Sequence, residues 1–105
     1  MMSPIATTEF DARLPSGELR RIVIKIGAPQ QLDDHAECAV VILGIDEKIR
    51  TNYGGDTVQA LSLALRYARN LLDTAETVWG WTMEIEGQPF PEWRVMFGGS
   101  AGCPG

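Results

Sequence analysis

Residues 56–75, DTVQALSLALRYARNLLDTA, decide the fold of this chain. Apolar side chains recur there every three or four residues, which predicts one long amphipathic helix beginning after Asp56 and ending near Ala75. Asp56 is the predicted N-cap, and Gln59 follows at the spacing of a capping box. The predicted apolar stripe comprises Val58, Leu61, Leu65, Ala68, Leu72 and Ala75, widened by Leu63, Ala64 and Leu71. Such a helix needs an apolar surface to cover.

Two stretches before the helix alternate between apolar and polar residues, which is typical of half-buried strands. Their apolar faces consist of Phe10, Ala12 and Leu14 in the stretch 9–14, and of Ile22, Ile24 and Ile26 in the stretch 19–26. The turn residues Pro15-Ser16-Gly17 between them predict an antiparallel hairpin. We expect Phe10 to lie opposite Ile24 and Ala12 opposite Ile22, with both apolar faces pointing toward the helix.

Four further stretches have strand character. Residues 38–43 are apolar on both faces and predict a central strand, and residues 48–53 predict a fourth strand after a turn at Gly44. Alternation around residues 81–86 predicts a fifth strand, and residues 93–97 alternate once more, whereas residues 30–37 are polar and predict a loop. The sequence therefore predicts an α+β fold, with a mainly antiparallel sheet of four to six strands and one long α-helix packed on one face. We expect a single domain over 1–97 and a flexible, glycine-rich tail over 98–105.

Composition and charge exclude several classes of protein. The chain has 105 residues, 45% of them hydrophobic, which fits one globular domain. Its 14 acidic and 9 basic residues give a net charge of -5, which repels phosphate backbones and argues against nucleic-acid binding. A basic protein partner fits this charge better. The apolar run 38–43 is too short for a membrane helix, and the N-terminal residues do not resemble a signal peptide, so we expect a cytoplasmic protein that does not bind membranes.

The candidate reactive residues surround the single histidine. His35 stands close to Asp33, Asp34 and Cys38, and all of these side chains are of metal-ligand types. Neighbours in an extended chain point to opposite faces, so we predict no metal site. Cys38 lies in an apolar run, so we expect a buried and unreactive thiol, and its pairing with Cys103 stays open. We predict no catalytic residues and no cofactor, and we interpret Glu84 and Glu86 as a solvated strand face.

The aromatic residues of the C-terminal third are the most unusual feature of the sequence. The candidate interaction surface consists of Trp79, Trp81, Trp93 and Phe90. Large aromatic side chains form interfaces when exposed and close cores when buried. The general burial of aromatic residues favours a lid over the core, and an interface is the alternative.

These observations predict a non-enzymatic protein-interaction module with an unidentified protein partner. The alternative is a small-ligand-binding protein, or a minor enzyme, that uses a pocket between the helix and the C-terminal aromatic segment. A third hypothesis is a homodimer built by edge-strand pairing.

Residues 53–65, YGGDTVQALSLAL, resemble a family of small bacterial α+β proteins of unknown function. That family shows the pattern Gly-x-Asp-Ser-x-Gln-Ala-Leu-x-Leu-Ala-Leu at a helix start, and Thr57 replaces the serine here. The likeness covers about Glu9 to Trp93, and its further matches are Ile26-Gly27-Ala28-Pro29, Cys38, Gly44-Ile45 and Trp81. The resemblance implies no catalytic residue and no cofactor. Immunity proteins, which neutralise a partner toxin, are similar in size and charge.

Overall fold

Seven strands and two helices make up residues 3–97, the part of the chain that a computed structural model describes. The strands are β1 (Pro4–Arg13), β2 (Leu19–Gly27), β3 (Gln30–Gln31), β4 (Ala36–Leu43), β5 (Asp46–Gly54), β6 (Thr82–Ile85) and β7 (Gln88–Pro89). The helices are α1 (Thr57–Thr77) and α2 (Trp93–Met96). The α+β class, the antiparallel sheet and the long helix are confirmed. The predicted tail at 98–105 lies outside the described residues.

The strand count exceeds the predicted four to six because two very short strands occur. The predicted loop at 30–37 contains β3, whose Gln30 and Gln31 pair with Glu37 and Ala36. The two-residue strand β7 pairs with β6. The C-terminal alternation at 93–97 does not form a strand, because the segment after Pro91 turns into the short helix α2. There the backbone N–H of Arg94 donates to the Pro91 carbonyl, and the chain leaves the sheet.

All strand pairings in the sheet are antiparallel. The order β4-β2-β1-β6-β7 forms its body, and β5 pairs with β4. Val40 faces Ile26 of β2 on one side and Arg50 of β5 on the other, so β4 is an inner strand. Within residues 3–97, β5 pairs with no strand other than β4 and forms one edge of the sheet.

The β1–β2 hairpin has the predicted faces but a different register. Phe10 lies opposite Ile22 and Ala12 opposite Arg20, two residues away from the predicted partners. The turn explains the difference, because Gly17 adopts φ +93° and donates its N–H to the Leu14 carbonyl at 2.8 Å. This is a three-residue hairpin loop with glycine in the left-handed position. A shift of two residues leaves each side chain on its predicted face.

The core lies between the sheet and α1, as predicted. The buried face of the sheet carries Phe10, Ala12, Ile22, Ile24, Ile26, Ala36, Cys38, Val40, Ile42 and Met83. The helix buries a stripe of small residues against it, and the stripe contains Ala60, Ala64, Ala68, Leu72 and Ala75. Leu61 and Leu65 pack at its flanks, whereas Val58 is 73% exposed and does not belong to the stripe. Small side chains at the contact let the helix approach the strands closely.

The start of α1 is the predicted one. The Asp56 carboxylate accepts the backbone N–H of Gln59 at 2.8 Å, and the Gln59 side chain accepts the backbone N–H of Gly55. The first bond satisfies an N–H group that a helix start otherwise leaves unpaired, and the second reaches one residue before the N-cap, whereas a capping box uses the N–H of the N-cap itself. The helix ends two residues after the predicted Ala75, where the N–H of Val78 donates to the Thr74 carbonyl.

Candidate functional site

The four aromatic residues predicted as an interaction surface do not stay together. Trp93 is fully buried, and its indole Nε1–H donates to Glu76 at 3.0 Å. Phe90 is partly buried, with its ring centroid 5.7 Å from that of Phe10. Trp93 therefore belongs to the core, and Phe90 packs against it. Phe97 is buried beside them.

Trp79 and Trp81 form a small corner at the end of the sheet. Their ring centroids lie 5.2 Å apart, and the Arg20 guanidinium lies 5.3 Å from the centroid of Trp81. Trp79 is 39% exposed, whereas Trp81 packs against the core. Arg20 is also bonded to Glu18 and to the Gly44 carbonyl.

The second face of the sheet is a larger candidate surface. Both helices pack on the core face, and the opposite face carries the alternate residues of each strand. At its centre Val23 lies opposite Leu43, and Val41 lies opposite Lys25. The neighbouring edge strand adds Ile49 and Tyr53, which are 51% and 60% exposed. We call this surface the open face.

A cavity of about 380 Å³ opens on this face, and we call it the basin. Its lining residues include Ser3, Gly27, Glu37, Ala39, Ile49 and Thr51. Gly27 and Ala39 lie in adjacent strands, and because Gly27 has no side chain and Ala39 only a methyl group, they form the floor of the basin. The larger side chains of Ile49 and Thr51 on the edge strand form its wall. The volume falls in the range of ordinary ligand pockets.

Charges surround the basin unevenly. On β1 and β2, Arg21 binds Glu9 at 2.9 Å and Asp11 at 3.2 Å, and the hydrogen bonds to Asp11 and then Glu9 raise the pKa of its guanidinium. Farther along, Arg13 binds Glu84 at 3.0 Å across β1 and β6. Glu37 differs from these acids, because within residues 3–97 it forms no ion pair. The basin therefore has an uncompensated carboxylate in its wall.

The interpretation of Glu84 as part of a solvated strand face is wrong. The residue is only 8% exposed, and its two carboxylate oxygens accept hydrogen bonds from Arg13. The hydrogen bond to Glu84 is the main reason why the pKa of the Arg13 guanidinium is raised. Glu84 thus joins the strands β1 and β6 and is not available for acid–base chemistry with a ligand.

The candidate reactive side chains of His35 and Cys38 do not converge on one site in the structure. His35 Nδ1 lies 2.6 Å from Asp34 Oδ1, and this hydrogen bond lowers the pKa of the Asp34 carboxyl. The thiol of Cys38 points into the core, where its Sγ donates to the Gly27 carbonyl at 3.4 Å. Burial raises the pKa of this thiol, as predicted. In the described part of the chain, no group of three or more His, Cys, Asp or Glu could hold a metal ion. Cys103 lies outside that part.

Sequence reasoning missed the basin, although one signal pointed to the open face. The stretch 38–43 is apolar at alternate positions that face away from the core as well as toward it. Ala39, Val41 and Leu43 are therefore more apolar than a fully solvated face requires. Nothing local indicates that Gly27 and Ile49, far apart in the chain, line one cavity.

The fold and the open face define a class of small α+β protein in which one helix covers one face of an antiparallel sheet. Within this class, the chain belongs to a family described as a domain of unknown function, DUF6968, whose family model matches residues 8–92. No curated protein and no solved structure matches the chain. Among the described residues, α1 and α2 are both too short or too polar to cross a membrane.

Proposed function

We propose that this protein acts by binding a partner protein at the basin on its open face, and not by catalysis. The observation that carries the proposal is the basin itself, a cavity of about 380 Å³ whose lining combines apolar side chains such as that of Ile49 with the carboxylate of Glu37, which forms no ion pair within residues 3–97. A side chain that ends in a positive charge and has an apolar stem matches both properties. Lysine and arginine are the side chains of that kind.

The overall charge supports a basic partner. The net charge is -5, so the chain attracts a basic surface before contact and repels an acidic one. At the open face, the half-buried apolar residues Val23 and Leu43 lie opposite each other in β2 and β4, the two strands that carry Gly27 and Ala39 of the basin. Apolar area near a charged group is a common arrangement in protein interfaces, because the apolar part supplies most of the buried area.

The proposal includes a cytoplasmic location, which suits a buried and free Cys38 thiol. An immunity-like role, in which the chain binds and blocks a basic toxin, is its most specific form. The small size and the acidic charge of the chain support this form. The helix-start motif at Gly54 to Leu65 resembles a family of small bacterial proteins, and a bacterial source is part of this proposal.

A small-ligand-binding protein is the second candidate, and the volume of the basin favours it. We place such a ligand at the basin, because Trp93 and Phe97 of the C-terminal segment are buried in the core and are not exposed to a ligand. The carboxylate of Glu37 favours a positively charged small molecule, just as it favours a basic side chain of a partner protein. The two proposed functions therefore differ in whether a small molecule or a protein is bound.

The test uses random peptides displayed on phage and selected against the immobilised protein. We expect the selected peptides to carry lysine or arginine beside apolar residues. Two variants change the basin: Ala39→Trp fills it, and Glu37→Lys reverses its charge. Each should weaken binding of a selected peptide by about tenfold or more, since a hydrogen bond to a charged group is lost or access is blocked.

The matched control is Glu92→Lys, which changes the net charge equally at an exposed position before α2. Peptide binding should survive this change. Selection of no peptide, or equal weakening by Glu37→Lys and Glu92→Lys, would contradict binding at the basin. Capture of a partner from native lysate then uses the same variants, and only a protein lost with both basin variants and kept with the control supports the proposal.

A further inference from the structure

We infer that the chain forms a homodimer in which β5 pairs antiparallel with β5 of a second copy. Within residues 3–97, β5 uses only one of its two sides, in pairing with β4. The strand is nine residues long and most of them are exposed; its pairing with β4 is regular from Arg50 to Gly54 and shifts register between Arg50 and Asp46. A free strand edge of this length presents a row of unpaired N–H and C=O groups, which another strand can satisfy.

The charges of β5 restrict the register of this pairing. In a symmetric antiparallel pair, a twofold axis at Ile49 sets Lys48 against Arg50, and axes at Lys48 or Arg50 set each cation against its own copy. Like charges directly opposite each other are destabilising. An axis at Glu47 opposes two acids in the same way. These registers are therefore disfavoured.

Moving along β5 from Glu47 toward Gly54, Thr51 is the first position at which a twofold axis sets no like charges opposite each other. It sets Ile49 against Tyr53 twice, Thr51 against Thr51, and Arg50 against Asn52. Aromatic side chains opposite β-branched ones stabilise antiparallel pairs. An axis at Asn52 also avoids like charges, but it pairs only residues 50–54 and leaves Ile49 without a partner. We therefore assign the axis to Thr51.

The helix above the edge adds an apolar contact. Tyr67 donates its hydroxyl to Asp46 at 3.1 Å, so this flank of α1 faces β5. Gly54, at the other end of β5, lies against the backbone of Ala60. The turn of α1 that carries Leu63 therefore lies above the middle of β5. Leu63 is half-buried and stands four residues before Tyr67 on the same flank, where it would meet its symmetry mate.

The dimer changes the basin as well. Ile49 and Thr51 line its outer wall, and the assigned register places Tyr53 of the second copy against Ile49. Each basin thereby gains an aromatic residue from the other chain, and the two basins lie on the same side of one continuous sheet. Only this last consequence rests on the proposed function, because the dimer itself needs no partner protein.

The first experiment measures the mass of the purified chain by light scattering and by sedimentation over a wide range of concentration. We expect a monomer–dimer equilibrium for the wild-type chain. Ile49→Lys should raise the dissociation constant by about tenfold or more, since two Ile–Tyr pairs are lost and a charge is added. Val78→Lys, at a more exposed apolar position away from β5, should leave it unchanged.

The register is tested by charge exchange and by a disulfide. Ile49→Lys combined with Tyr53→Glu should restore the dimer, because those positions are opposite only with the axis at Thr51. In a Cys103→Ser background, Thr51→Cys should give a covalent dimer under mild oxidation, whereas Ile49→Cys should not. A wild-type chain that stays monomeric at all concentrations would overturn the inference. A dimer that Ile49→Lys does not weaken, in a chain that circular dichroism shows to be folded, would also overturn it.

Discussion

Trp93 donates its indole Nε1–H to the Glu76 carboxylate across 3.0 Å, and this bond joins α2 to the last turns of α1. Arg94 strengthens the same junction, because its guanidinium binds Glu76 at 2.9 Å and Asp73 at 2.7 Å. It also lies 4.6 Å from the centroid of the Trp93 ring. The aromatic segment is thus held on the core by polar bonds as well as by burial.

Removal of this junction should destabilise the fold. We expect Glu76→Ala to lower the free energy of unfolding by about 1 to 3 kcal/mol, because the buried indole N–H loses its acceptor. Trp93→Ala should cost about 3 to 5 kcal/mol through the cavity it leaves. Urea denaturation measures both effects. Glu76→Gln keeps an acceptor and serves as the control, and a Glu76→Ala variant as stable as the wild type would contradict the role of this bond.

The alanine stripe of α1 should not tolerate larger side chains. Ala64 is fully buried against the sheet, so Ala64→Leu should lower the free energy of unfolding by about 1 to 3 kcal/mol through overpacking. Val58 lies on the same helix but is exposed, and Val58→Leu should change stability by less than about 0.5 kcal/mol. Thermal unfolding of the two variants compares the sites directly. Equal effects would mean that the helix does not approach the strands as closely as described.

Alanine substitution should lower the free energy of unfolding by different amounts at two glycines that have similar backbone angles. Gly17 has φ +93° and Gly44 has φ +96°, and both angles are unfavourable for a side chain. A Cβ at Gly17 meets nothing, so Gly17→Ala should cost only about 1 to 2 kcal/mol of left-handed strain. A Cβ at Gly44 would lie 2.4 Å from the Arg21 carbonyl oxygen, so Gly44→Ala should cost clearly more. Chemical denaturation ranks the two variants, and the reverse order would contradict the close contact at Gly44.

The buried thiol of Cys38 should make stability depend on alkaline pH. Burial raises its pKa in the folded chain, so the unfolded chain loses this proton first as the pH rises. In a Cys103→Ser background, we expect the free energy of unfolding to fall as the pH rises above about 8.5, the ordinary thiol pKa. Cys38→Ala should reduce this pH dependence, as measured by denaturation at several pH values.

Thiol labelling gives an independent check of the same residue. In the Cys103→Ser chain, a disulfide reagent should react with Cys38 only after denaturant is added, because the thiol is buried and largely protonated. Rapid labelling of the folded protein would show that Cys38 is accessible.

Sequence reasoning predicted the strand faces and the helix, but only part of the candidate site. It singled out the tryptophans because of their number, yet Trp93 is buried and Trp79 remains the more exposed one. The basin could not be predicted, because it depends on three strands that meet only after folding. The one sequence feature that indicated the open face, on which the basin lies, was the apolar character of the β4 residues that point away from the core.

Local sequence determined what depends on neighbouring residues. The period of two in β1 and β2 set which side chains face the core, and Asp56 with Gln59 set where α1 begins, because these patterns act within a few residues. Only the tertiary structure decided the register of the first hairpin, the burial of Trp93 and the meeting of Gly27, Ala39 and Ile49 at the basin. These features depend on turn geometry and on contacts between distant residues, which the pattern of any single segment does not contain.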